Sequence, residues 1–471
     1  ISLLNIGAMC GLGMILPLWL YFAGALFIFN MVGLFSFIAA GYGVWPSVGL
    51  VCSLAEAAPS EVDEFVTLSR IGLIIGANAA ILLFSYALRR ALPRLRLWHL
   101  LVCILLIMGS DKFPAQIIQE EARQAIQWPL DFISPPVRDS VRYFIHERPK
   151  IAMLLRLKSP ACLSAKRLSN DPLIVVYVMG ESARADHFGI YGYARDTTPR
   201  LSKRKNLIVY KDVTSFAAWT RESTIGLLTN ADMEHRTPTL GSFVDVYKAN
   251  GFENYAYTNR LKPNWNDLSF ELLTRSETKR IYVSGLDKNS IPVFEQYMNA
   301  GGKLQFHIFY TNGNHIDYNV RYPRSEAHYL PDDYENVPEN IAPQARINAY
   351  DNTVIYVDGF IDDIIASLEK KNAVLLYTSD HGESLGEEGR LLHGNMDAPE
   401  QRFVPFIIWY SDEYARLNPR KVKSMLEKVN QPISHDYVFH TMLGLADFKT
   451  KARKRDLDLT LTPRVNAQAE P

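Results

Sequence analysis

The first 55 residues contain no Asp, Glu, Lys, Arg or His, and the first charge in the chain is Glu56. Written as one helix, such a run would extend about 80 Å at about 1.5 Å per residue, against a hydrocarbon core of about 30 Å. It must therefore fold back at least once inside an apolar medium. The sequence predicts a short helix over 1–16 and a second over 20–42, with Pro17 at the break and Trp45-Pro46 at the exit into the interface. A third uncharged stretch, 71–88, is bracketed by Arg70 and Arg89, and a fourth covers 97–110. Residues 1–112 thus read as a transmembrane domain of four helices. Arg89, Arg90, Arg94 and Arg96 fall in one loop without an acid, which places that loop on the cytoplasmic side. The acidic 56–64 loop then lies on the opposite side, and residue 111 onward emerges outside the cytoplasm. Ile1 also falls outside and is not an initiator Met, so five spans are expected in the full protein.

The remaining chain has a different composition. Of 50 Lys+Arg and 50 Asp+Glu, only nine charges fall in 1–110; the other 91 lie in 111–471, a normal density for a water-soluble domain. A single soluble globule is excluded, and so is a nucleic-acid binder driven by net positive charge. Cys10, Cys52 and Cys103 lie in or at the membrane segments, leaving Cys162 alone beyond residue 111. An internal disulfide and a cysteine zinc cluster are both ruled out there, so any metal must use His, carboxylate or hydroxyl ligands. Residues 113–170 read as interfacial or linker helices. Residues 450–471, with Lys451, Arg453, Lys454 and Arg455, read as a basic, disordered tail.

Between these, 171–449 alternates strand and helix signals. Continuous apolar strands are expected over 173–179, 305–310, 373–377 and 404–409, with helices over 239–250 and 350–368. Strands of that kind separated by helices indicate a mainly parallel α/β sheet covered by helices on both faces.

In open α/β sheets ligands bind beyond the carboxyl ends of the strands. Three strand ends present Glu181, His315 and the Asp380-His381 pair, and His393 follows on a nearby loop. Taken singly, a Glu after a strand caps the next helix more often than it binds metal, and Asp-His-Gly is commonly a turn. Their convergence on one rim favours a metal, and carboxylate plus imidazole suits zinc or manganese. The segment 214–228 adds hydroxyls. Its helix is expected to start near Arg221 with Thr220 at the N-cap, the usual role of such a threonine. A helix N-terminus is also an anion site.

The run Gly180-Glu181-Ser182-Ala183-Arg184, followed by Tyr191-Gly192-Tyr193-Ala194-Arg195-Asp196-Thr197-Thr198-Pro199, resembles the signature of bacterial phosphoethanolamine transferases, members of the alkaline phosphatase/sulfatase superfamily. The order continues with Ala217-Ala218-Trp219-Thr220, Asn314-His315, Arg321-Tyr322-Pro323, Tyr350-Asp351-Asn352-Thr353, Ser379-Asp380-His381-Gly382-Glu383 and His393-Gly394. The resemblance covers about 170–445. It implies an alkaline phosphatase-like catalytic domain on the periplasmic side of a multi-pass inner-membrane protein. It implies one zinc site, with a second possible: Glu181, Thr220, Asp380 and His381 would hold the catalytic zinc and Thr220 would be the nucleophile. His315 and His393 would bind the phosphoryl group or a second metal, or protonate the leaving oxygen. Glu56 and Glu61 sit where family members carry carboxylates near the lipid donor.

The lack of cysteine near Thr220 is similar to the cysteine-poor members that decorate lipopolysaccharide core sugars or other glycans. The implied reaction is ping-pong transfer of phosphoethanolamine from phosphatidylethanolamine to a cell-envelope glycolipid, lipopolysaccharide core or lipid A, through a phospho-threonine. The competing readings are a phosphoglycerol transferase or phosphatase of the same superfamily, and a silent lipid-binding membrane protein. No Cys or Ser followed two residues later by Pro and then Arg stands around Thr220, which argues against sulfate ester hydrolysis.

Overall fold

The computed structural model describes residues 21–23, 26, 30, 68–91, 164–260, 268–275, 278–332 and 342–462. The chain forms two compact units, Ile1–Pro149 and Lys150–Pro471. The spans expected over 1–16, 20–42 and 97–110, the linker helices of 113–163 and the carboxylates Glu56 and Glu61 lie wholly or mostly outside the described residues.

In the first unit, the helix α1 (Leu68–Ala91) covers the third expected span. It turns large apolar side chains outward: Ile75 is 64% and Leu83 71% exposed. A reciprocal amide pair joins it to the preceding segment, Asn30 Nδ2 donating to Asn78 Oδ1 at 2.7 Å and Asn78 Nδ2 to Asn30 Oδ1 at 3.0 Å. Taken over the described residues, no helix is long and apolar enough to cross a membrane.

The second unit is built on a seven-stranded sheet. In chain order its main elements are β1 (Leu173–Gly180), β2 (Leu207–Val209), α2 (Thr220–Leu228), α3 (Phe243–Ala249), β3 (Glu253–Thr258), β4 (Lys279–Tyr282), α4 (Ile291–Ala300), β5 (Leu304–Tyr310), α5 (Pro343–Leu368), β6 (Ala373–Ser379), β7 (Phe406–Tyr410), α6 (Pro419–Glu427) and α7 (Asp436–Leu445). The strand order is β2-β7-β6-β1-β5-β3-β4. The five strands from β6 to β4 are parallel, whereas β7 runs antiparallel to both its neighbours. The sheet is therefore mixed. The apolar run in β7 predicts a buried strand but carries no information on its direction.

Strand β1 shows why the sheet needs two helical layers. Leu173, Val175, Tyr177 and Met179 enter one core with Phe243, Tyr247 and Phe439; Ile174, Val176 and Val178 enter the other with Phe294, Phe360 and Ile364. All eight residues of β1 are buried, as a strand covered on both faces requires. Helix α3 starts later than the predicted 239, because Ser242 caps it by accepting from Val244 N at 3.2 Å. Helix α5 starts seven residues before the predicted 350, with a proline in its first turn.

The segment expected as a disordered tail is instead packed against the domain as far as residue 462. Leu459 and Asp458 are fully buried, and Lys428 Nζ donates to the carbonyls of Asp458 and Leu461, both at 2.6 Å. The basic cluster misleads because Arg453 is bonded to Asp458 and Lys454 Nζ lies 2.9 Å from Asp232 Oδ2.

Candidate active site

The register brings three strand ends level. Gly180 of β1 pairs with Ser379 of β6, and Met179 pairs with Tyr310 of β5. The residues that follow, Glu181, Asp380-His381 and the 311–315 loop, therefore open on one rim, beyond the carboxyl ends of these parallel strands. Glycines let the loops close on each other. Gly313 has φ +46°, and a Cβ there would stand 3.0 Å from both N and O of Glu181. Ser182 is also left-handed, at φ +56°. It is held so by its N–H donating to Asp380 Oδ1 at 3.2 Å and by its carbonyl accepting from Tyr350 Oη at 2.6 Å.

Helix α2 delivers the threonine. The structure corrects the predicted cap: Trp219, extended at φ −158° and ψ 153°, occupies the N-cap position, and Thr220 is the first helical residue. Its hydroxyl is thereby released from capping. Thr220 Oγ1 donates to Glu181 Oε2 at 3.3 Å and lies 3.2 Å from His381 Nε2. His381 Nδ1 donates to the Gly382 carbonyl at 2.8 Å, which turns Nε2 toward the cluster. There Nε2 is 3.3 Å from Glu181 Oε1 and 3.5 Å from Asp380 Oδ2.

Glu181, Asp380 and His381 are buried, at 1%, 0% and 0% exposure. Burial raises the Glu181 pKa, but Arg260 and His381 outweigh it and hold the carboxyl well below its ordinary range. Burial and the Glu181 charge push Asp380 up to about 6. Burial disfavours a charged His381, yet Asp380 and Glu181 raise its pKa to about 10. Two buried carboxylates thus draw positive charge to one point. Asp380 Oδ2 is buried and makes no hydrogen bond among the described residues. Such an orphaned anionic oxygen, beside a second carboxylate, an oriented imidazole and a hydroxyl, is the donor set of a divalent cation site. Ligand atoms of Glu181, Asp380 and His381 all lie within 4.8 Å of one another. The residues fit a metal.

His381 also belongs to a second cluster of this kind among the described residues, with Glu383 and His393. Glu383 is fully buried, its Oε2 is 3.0 Å from His393 Nδ1, and its Oε1 makes no hydrogen bond among the described residues. The rings of His381 and His393 are 4.2 Å apart, and His315 lies 6.3 Å from His393. The structure therefore brings together Glu181, Thr220, His315, Asp380, His381 and His393. Sequence reading assigned no role to Arg260, which bonds Glu181, or to Glu383, which orients His393. Glu383 was within reach, two residues beyond His381; Arg260 carried no local signal.

Comparison with known proteins agrees with this architecture. The family model described as Sulfatase matches residues 174–448. The Kdo(2)-lipid A phosphoethanolamine 7''-transferase of Escherichia coli K12 is 31% identical over 297 residues, 58% of this chain and 51% of that protein, so this chain spans about half of that relative's length. The full-length lipooligosaccharide phosphoethanolamine transferase A (EptA) of Neisseria meningitidis shares the fold with a TM-score of 0.77 at 21% identity, over 95% of this chain and 88% of that one. The periplasmic domain of EptC from Escherichia coli, solved as a complex with Zn, aligns with a TM-score of 0.59 at 24% identity, over 64% of this chain and 90% of that one.

Proposed function

The chain belongs to the sulfatase family, and on that premise we propose that it is a membrane-anchored, metal-dependent transferase. It moves phosphoethanolamine from phosphatidylethanolamine to a cell-envelope glycolipid, lipopolysaccharide core or lipid A, through a phosphorylated Thr220. One observation carries this reading: the Thr220 hydroxyl, at the first residue of α2, stands 3.2 Å from His381 Nε2 and 3.3 Å from Glu181 Oε2. A structural threonine would cap its helix; this one faces a buried, carboxylate-rich cation site.

Glu181, Asp380, His381 and Thr220 would hold the metal, a set of carboxylate, imidazole and hydroxyl donors that suits zinc. When bound, the metal lowers the pKa of the hydroxyl and polarises a phosphoryl oxygen. The chain's own groups do the rest. The first-turn N–H groups of α2 face the phosphoryl group. Thr220 Oγ1 attacks phosphorus in line, and the bond to the diacylglycerol oxygen breaks. That oxygen takes a proton from His315 or His393, which replaces the one lost by Thr220. In the second step the acceptor hydroxyl or phosphate attacks the Thr220 phosphoester, the histidine that gave up its proton takes the hydroxyl's, and the bond from phosphorus to the threonine oxygen breaks with its electron pair leaving on that oxygen. Glu383 holds His393 by its Nδ1, so its Nε2 is the nitrogen turned to substrate. On this reading the segments of 1–112 anchor the enzyme in the membrane that supplies its lipid substrates, the catalytic unit is periplasmic, and Glu56 and Glu61 are the carboxylates that the family resemblance offers to the donor. Tethering replaces a search in three dimensions with a high effective concentration.

The deciding experiment is intact-protein mass spectrometry after incubation with phosphatidylethanolamine in detergent without acceptor. The wild type is expected to gain one phosphoethanolamine group and Thr220→Ala none. A folded, zinc-loaded protein that gains no mass defeats the donor assignment, and the same run with phosphatidylglycerol tests the phosphoglycerol alternative. A chain that binds no stoichiometric zinc favours a silent lipid-binding protein.

A further inference from the structure

We propose that Arg260 is a further catalytic residue, whose guanidinium takes a non-bridging phosphoryl oxygen while Thr220 attacks. The inference rests on phosphoryl transfer at Thr220 and adds to it a residue from a fourth strand. Thr258, the last residue of β3, pairs with Tyr310, which also pairs with Met179 of β1. Arg260, two residues on, therefore opens on the same rim as Glu181 and the 311–315 loop.

The guanidinium is held there by Thr311, Tyr310 and Glu181. Its Nε and Nη2 donate to the Thr311 carbonyl at 3.3 and 3.2 Å, its Cζ stands 4.1 Å from the centre of the Tyr310 ring, and Nη2 donates to Glu181 Oε2. That carboxylate oxygen also accepts from Thr220 Oγ1. The nucleophile and the guanidinium thus meet at one atom, each a single hydrogen bond away from it. A phosphorus lying about 3–3.5 Å from Thr220 Oγ1 before attack carries its equatorial oxygens into the same space. A planar, permanently charged fork suits those oxygens better than an ammonium does.

The simpler alternative makes Arg260 only a counter-ion for buried Glu181. Its anchorage argues for more. The stacking on Tyr310 and the bonds to Thr311 hold the plane of the group independently of the carboxylate, as preorganised stabilisation of developing charge requires. In the step itself the Thr220 Oγ–P bond forms and the P–O bond to the leaving alcohol breaks, its electron pair departing with the oxygen. That oxygen is protonated by His315 or His393, and the Thr220 proton passes to solvent. Arg260 keeps all its protons and only donates hydrogen bonds.

The test is inorganic phosphate binding to the zinc-loaded full chain by titration calorimetry, with zinc per chain and melting temperature measured alongside. Losing a charge-assisted hydrogen bond predicts a Kd raised about tenfold or more in Arg260→Ala at unchanged zinc content, and a smaller rise of about threefold in Arg260→Lys. The lysine variant keeps a positive charge beside Glu181, so it decides alone if the alanine variant loses fold or metal. The proposal is overturned by a folded, zinc-loaded variant whose phosphate Kd stays within about twofold of wild type. It is equally overturned by a wild type that binds no phosphate, or by a lysine variant that loses its zinc, which would assign Arg260 to holding Glu181. Phosphate binding that depends on Arg260 in a chain that gains no mass from phosphatidylethanolamine would keep this residue's role and reject the donor alone.

Discussion

Gly382 determines how closely the Asp380-His381 turn sits against the next loop. A Cβ there would stand 2.2 Å from the Glu400 carbonyl oxygen and 3.3 Å from Arg184 Cγ. Neither side yields cheaply. Gly382 N donates to Gln401 O at 2.8 Å, and Glu400 Oε1 accepts from Ser384 Oγ at 2.6 Å. Gly382→Ala must therefore displace the Asp380-His381 turn from its place beside Glu181. Overpacking of this kind costs about 1–3 kcal/mol. The expected result is a lowered melting temperature together with weaker zinc binding in competition with a chelator. Unchanged values in both would show that the turn has slack. The same residues show what a sequence discloses. Asp380, His381, Glu181 and His393 were readable because each follows a strand or lies in a compact motif. Arg260 was not, since its place depends on β3 pairing with β5, a long-range register that no local pattern carries. Thr220 fell between: its helix was legible, but that the helix starts one residue earlier and frees the hydroxyl depends on tertiary packing around Trp219.

Among the elements, α5 does more than cover the sheet. Tyr350, fully buried on it, donates its hydroxyl hydrogen to Ser182 O at 2.6 Å and accepts from Arg184 N at 2.9 Å. These bonds bracket the left-handed Ser182 and so fix the loop that carries Glu181. A non-glycine residue held in that region costs about 1–3 kcal/mol unless its surroundings determine it. Tyr350→Phe keeps the ring but leaves a buried carbonyl and a buried N–H without partners, a loss of about 1–3 kcal/mol. The variant should fold, melt lower, and bind zinc more weakly because Glu181 drifts from Asp380. Wild-type zinc affinity in a folded Tyr350→Phe protein would mean that the bond from Ser182 N to Asp380 holds the loop alone. The existence of α5 was readable from its apolar spacing, and so was the sheet. The direction of β7 was not, because a strand buried on both faces has the same composition whichever way it runs.

Across the whole second unit, acid stability should be governed by three histidines remote from solvent. His307 and His435 are fully buried and His440 is 2% exposed. Burial lowers each pKa to about 3. Their neighbours suit the neutral ring. Tyr257 Oη lies 2.9 Å from His307 Nδ1, while Phe216 N donates to His435 Nδ1 and Lys454 N to His440 Nδ1, both at 3.1 Å. These bonds spread from β5 to the segment before Thr220 and to the packed C-terminal stretch, so the effect is global. An unfolded histidine titrates near 6.5. Above that pH both states are neutral and the stabilisation is fully present. As pH falls from 6.5 toward 3 the unfolded chain takes up protons that the folded chain refuses, and stability drops by about 1.4 kcal/mol per pH unit for each histidine. Near pH 5 unfolding should therefore take up close to three protons from this set, measurable from the pH dependence of the denaturant midpoint. His440→Gln, at the least enclosed of the three, should reduce the uptake by about one proton. A midpoint that stays flat between pH 6.5 and 5 would mean that the interior opens to protonate these rings without unfolding, and the packing described for the C-terminal stretch would then have to be looser than its burial implies.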